Sequence, residues 1–285
     1  MQQGGSPSGL AAIAVAGAVL FVVALFVPFQ SAGAAELAVL DVAQGVRIWG
    51  SLALGALAAL GVAIGGAWLL MGRWTARRAS GLIAAAGLWM TLRGAALLGV
   101  SLFREEPVSP ALGAYLALAG GILVLAAGVA AFARDQTEVG ARSRAMCALT
   151  LVGAIGYVLA NLVSAARVAP PGLEPSELEV VELSSPPATL LWEALLPATI
   201  TIVLLLAAMR VLTGTAGGTG ALLMGLGLIT ALQFAGILAW ATSGAVEFLS
   251  PTAGVSVGIV AGALLFVAGL LSPTEPHTSP VPAAA

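Results

Sequence analysis

The sequence predicts an all-α protein: a polytopic transmembrane helical bundle, with eight spans arranged as two tandem four-helix units. Three observations carry this expectation. The chain has almost no charge, it contains eight long apolar segments, and it resembles itself at a spacing of about half its length.

Of 285 residues, 60% are hydrophobic and 8% are charged. A soluble domain carries about 25% charged residues, so there is too little polar surface here to solvate a globule. That balance excludes a soluble enzyme and a disordered chain. All 11 basic residues are arginines, and no run of them suggests a nucleic-acid surface. Abundant Ala and Gly, with Arg used to the exclusion of Lys, point to a bacterial source of high genomic GC content.

A spanning helix needs roughly 20 apolar residues. Eight segments qualify: about 10–28, 50–72, 80–101, 110–133, 146–165, 191–212, 219–241 and 253–271. Each is apolar all round, as a helix between lipid and neighbouring helices must be. After the first segment, Ser31-Ala32-Gly33-Ala34 has the small residues of a processing site. Residues 1–9 hold no Lys or Arg to form a positive n-region, which favours a retained span.

Arginines orient the bundle. Arg73, Arg77, Arg78, Arg134, Arg142, Arg144 and Arg210 fall on one side, against Arg47, Arg104 and Arg167 on the other. The positive-inside rule then places both termini in the cytoplasm of a multi-pass plasma-membrane protein. Trp49, Trp68, Trp74 and Trp192 stand at interfacial-belt positions.

The duplication is read from two alignments. At an offset of 141, the fourth span matches the eighth at Ser109/Ser250, Pro110/Pro251, Gly113/Gly254, Gly121/Gly262 and Gly128/Gly269, among others. At an offset of 140, the third matches the seventh, including Gly87/Gly227 and Leu92/Leu232. The expected organisation is a first four-span unit at 1–138, a second at 139–272 and a disordered cytoplasmic tail at 273–285. An even number of spans gives both units one orientation, as in parallel-repeat membrane proteins. In the longer second outer loop, Glu177-Leu178-Glu179-Val180 begins a polar–apolar alternation that predicts a short strand in a small cap. The order of long and short outer loops resembles the topology of claudin-like bundles. The paired-cysteine loop of that group is missing, so the resemblance carries no residues across.

Chemistry-bearing residues are few. Cys147 is expected to be a buried small hydrophobe, and His277 lies in the Pro-rich tail. No Cys/His/Asp cluster has metal-ligand spacing, so neither metal nor cofactor is expected. There is no phosphate loop, nucleophile elbow or HExxH to support catalysis. Arg93 is the most informative position, because a charge inside a span must snorkel, pair or face water. Its expected role is snorkelling or pairing, with Glu193, Glu105 or Glu106 as partners; substrate or ion handling is the alternative. Gln233 falls opposite Arg93 in the alignment of halves, and Glu193 stands near the start of the sixth span. Arg93, Gln233 and Glu193 together form the candidate intramembrane polar site.

The leading functional expectation is a non-catalytic accessory or scaffold component of a bacterial envelope complex. Membrane lipids, and a membrane-protein partner or second copy of the chain, would be its partners. The alternatives are a small-solute or lipid transporter with a path between the halves, and a membrane enzyme acting on lipid-linked substrates at the outer face.

Overall fold

The computed structural model describes residues 7–32, 35–38, 57–67, 70–71, 76–102, 109–134, 144–163, 166–169, 171–172, 174–178, 187–213, 219–242 and 248–271. The tail at 273–285, Trp49, Trp68, Trp74, Glu105 and Glu106 lie outside these residues.

Each predicted segment contains a helix: α1 (Pro7–Ala24), α2 (Leu57–Ala67), α3 (Ala76–Leu102), α4 (Leu112–Arg134), α5 (Arg144–Leu162), α6 (Pro187–Thr213), α7 (Thr219–Thr242) and α8 (Ala253–Leu270). Helices α3, α4, α5, α7 and α8 are long and apolar enough to cross a membrane. Over the described residues α1, α2 and the Pro197–Thr213 part of α6 are apolar but shorter.

Many buried positions are alanine, while many large aliphatic side chains face outward. Ala14, Ala18, Ala114, Ala117, Ala127 and Ala160 are buried, whereas Ile122, Val129, Val152, Ile155, Leu206 and Val260 are exposed. In water an apolar surface of this extent would drive aggregation. Next to lipid tails, which are as apolar as Leu, close backbone packing through small residues is what holds helices together.

Helix α4 packs on α1 and α3, α8 packs on α5 and α7, and α3 lies against both α6 and α7. Glycines let these backbones touch. A Cβ at Gly87 of α3 would strike the backbone of Leu125 on α4, and one at Gly121 would strike that of Thr91. In the second pair, Gly227 faces the backbone of Phe266 and Gly262 that of Ala231. Gly17 of α1 meets the Gly120 carbonyl and Val124, while Gly153 of α5 meets the Ala261 carbonyl and Leu265.

Two small antiparallel sheets complete the fold. The first has the order β2-β1-β3, from β1 (Pro28–Ala32), β2 (Ala35–Ala38) and β3 (Ser109–Pro110). The second has the order β5-β4-β6, from β4 (Ala166–Val168), β5 (Ser176–Leu178) and β6 (Leu249–Pro251). Ser31 pairs with Ser109 and Gln30 with Pro110; Arg167 pairs with Ser250 and Ala166 with Pro251. The Ser31 and Ser109 hydroxyls are 2.8 Å apart, and the Ser250 hydroxyl donates to the Arg167 carbonyl. Gly172, at φ 80°, makes the turn after β4 in a backbone conformation that side chains resist.

The sheets enlarge the predicted cap. The strand expected from Glu177 onward is β5, which begins at Ser176, but β1 and β2 were not anticipated. Pro28-Phe29-Gln30-Ser31-Ala32 has no period-2 pattern, so only its pairing partners make it a strand. The residues read as a processing site, Ser31 and Ala32, belong to this strand.

Candidate functional site

Arg93 on α3 and Gln233 on α7 each stand nine residues before the end of their helix, Leu102 and Thr242 respectively. Both are half-buried, so the two polar groups occupy matching positions on matching helices. Arg93 has an interaction partner. The Gln233 Oε1 is buried and makes no hydrogen bond.

Glu193 belongs to α6, but its side chain lies outside the described residues. The helix begins at Pro187 rather than near 191, which sets Glu193 nearly two turns in and Pro197 in the third turn. Proline has no N–H, so Pro197 cannot donate to the Glu193 carbonyl four residues back. Glu193 therefore marks an interruption in the backbone ladder.

A second polar group lies between α5 and α7. Tyr157 is fully buried, with its ring edge-on to Phe234 at a centroid distance of 6.5 Å. Asn161, one turn further along α5, donates from Nδ2 to the Tyr157 carbonyl. The Tyr157 hydroxyl and the Asn161 side chain approach each other but miss ideal hydrogen-bond geometry, and Thr230 Oγ1 is buried without a hydrogen-bond partner. An unpaired buried group costs about 1–3 kcal/mol, so Thr230 carries a local cost. Tyr157 was missed in the sequence because an isolated tyrosine in an apolar run reads as packing. Its one usable signal was its position inside a span, away from the interfacial places where tyrosine is enriched.

The cavity that separates α2, α3 and α7 is different in character. It has a volume of about 320 Å³, and the described residues that line it are Leu, Ile, Val, Ala and Gly, among them Leu57, Gly61, Leu82, Ala86, Gly225 and Leu228. Arg93 and Gln233 do not line it.

Two further residues take defined places. Arg210, near the end of α6, sits over the Phe132 ring of α4 at 4.9 Å from its centroid, a cation–π contact. Cys147 is a free, half-buried thiol packed against the apolar core. Among the described residues no group of three or more His, Cys, Asp or Glu lies together. The positions with chemical potential are thus an arginine within an apolar helix, the glutamine at the matching position of α7, a buried tyrosine and an apolar cavity. No family model, curated protein or solved structure matches this chain.

Proposed function

We propose that the chain is an eight-span protein of a bacterial plasma membrane, built from two copies of a four-helix unit at 1–138 and 139–272. In this reading it acts as a non-catalytic accessory or scaffold component of an envelope complex.

Matched contacts support the duplication. Gly87 and Gly227 are 140 residues apart, and the residues they meet, Leu125 and Phe266, are 141 apart. The Gly121–Thr91 and Gly262–Ala231 contacts repeat at the same two offsets. For the first helix of each unit the offset is 136: Gly17 and Gly153 meet Val124 and Leu265, and Ser31 and Arg167 pair with Ser109 and Ser250. Chance identities in an Ala- and Gly-rich sequence would not reproduce the same contacts through two helix pairs and a sheet. Arginines clustered at the ends away from the sheets favour cytoplasmic termini and sheets on the outer face.

The scaffold role rests on how the interior is used. Seams closed by backbone contact at glycines support a packed body, and the described residues that line the cavity between α2, α3 and α7 are all apolar. A path for a polar solute needs polar lining, so the cavity speaks for a structural role. The matched Arg93 and Gln233 favour the second reading, a small-solute transporter, because polar residues inside spans commonly mark substrate pathways.

Purification of the tagged full chain from gently solubilised native membranes separates the two. The scaffold reading predicts a stoichiometric second chain or a second copy, retained by Arg93→Gln. A monodisperse monomer that carries solute into vesicles, with flux abolished by Arg93→Gln, would contradict it.

A further inference from the structure

We infer that α2 is a lateral gate, which swings against α7 and away again and so closes and opens the cavity between α2, α3 and α7. The inference rests on the two-unit reading and adds a movement to it.

The structure holds the gate open. The cavity measures about 320 Å³, and its described lining on α2 runs from Leu57 to Gly65. Those residues rise about 12 Å along the helix, so the gap is about 5 Å across, close to the width of one side chain. Leu57, Ile64 and Leu228 line it and are exposed, so it opens sideways. Atoms facing a gap of this width forfeit the dispersion contacts that packed helices gain, and closure restores them.

Glycines mark the surface that closes. A glycine inside a helix is less stable than an alanine, and it suits places where another backbone comes close. Gly87, Gly121, Gly227 and Gly262 all have such a neighbour. Gly61 of α2 and Gly236 of α7 do not, since a Cβ added at either would meet nothing within 4 Å. Gly61 lines the cavity, and Gly236 stands one turn beyond the lining residue Leu232. Both glycines without a neighbour therefore border the same gap, and an approach of α2 to α7 would supply what each lacks.

The other side of the seam provides a template for the closed form. In the two-unit reading α6 is the counterpart of α2, and α3 that of α7; there α6 packs directly on α3. Equivalent helices are thus closed on one side of the seam and parted on the other. At Gly225 an added Cβ would approach the Ala85 Cβ to 2.6 Å, so α3 and α7 are already in close contact and α2 is the element free to move. Packed interfaces switch between discrete arrangements rather than deform continuously, so two positions of α2 are expected.

Spin-label distances between Leu57→Cys and Leu228→Cys, on opposite walls of the gap, test this in the full chain with Cys147→Ala, reconstituted in lipid nanodiscs. Two populations are expected, the shorter by about 5 Å. Gly61→Phe puts bulk in the gap and should remove the shorter population. Ile155→Phe, on an exposed face of α5, should leave both in place. A single narrow population, or two that Gly61→Phe leaves unchanged, would overturn the gate. Matched disulfides in the two sheets, Ser31→Cys with Ser109→Cys and Arg167→Cys with Ser250→Cys, check the two-unit reading separately. If both form while the labels report one population, the gate alone falls.

Discussion

At Gly258 the lack of a side chain admits the ring of Phe234, whereas at the matching place in the first half the glycine is on the other helix, with Gly94 against Ala117 and Leu118. The glycine and the larger residue have thus changed sides of the seam. Gly258→Ala should therefore destabilise the protein by about 1–3 kcal/mol through overpacking. Combined with Phe234→Ala, it should cost less than the sum of the two single changes, a coupling that an unfolding titration in dodecyl sulfate would measure. Additive costs would mean that the two residues do not compete for one space. Arg93→Gln would give both halves an amide at this position, and should retain the fold better than Arg93→Ala in the same titration. The alanine removes both the interaction that Arg93 makes and its long apolar stem, whereas glutamine keeps a polar group at that position. Arg93 and Gln233 were readable in the sequence because polar residues stand out in apolar runs at a matching place in each half. Tyr157 and Phe234 were not, since nothing in the composition says which aromatic ring will be turned inward against another helix.

Helices were legible at the element scale because each long apolar segment of the sequence contains one. The strands were less so. A strand of three to five residues is defined by its hydrogen-bonding neighbours, which come from distant parts of the chain: β1 finds β3 some 78 residues later. Only β5 carried a local signal, and the sequence placed it one residue late. The pairing of β1 with β3 makes a direct prediction. In a Cys147→Ala background, Ser31→Cys with Ser109→Cys should form a disulfide under mild oxidation, seen as a mobility shift that a reductant reverses. The 2.8 Å separation of the two hydroxyls is close to what that bond needs. Failure to cross-link would mean that β1 does not reach β3 in the membrane.

For the whole molecule, the two proposed units meet, among the described residues, where α3 packs against α6 and α7. If each bundle is a folding unit, residues 1–138 and 139–285 expressed as separate chains should assemble, with a tag on one recovering the other. Gly225→Leu should break that recovery, because even a Cβ at Gly225 would approach the Ala85 Cβ to 2.6 Å. The most direct test of the central claim, eight spans with both sheets on one outer face, is labelling of single cysteines with a membrane-impermeant maleimide. Substitutions at Ser31, Ser109, Ser176 and Ser250 sample the sheets, and those at Met71 and Ala145 sample the opposite end, all in a Cys147→Ala background. The predicted result is labelling of all four sheet positions in intact cells, and of Met71 and Ala145 positions only after permeabilisation. Labelling of one sheet but not the other in intact cells, or of the Met71 or Ala145 positions there, would contradict it.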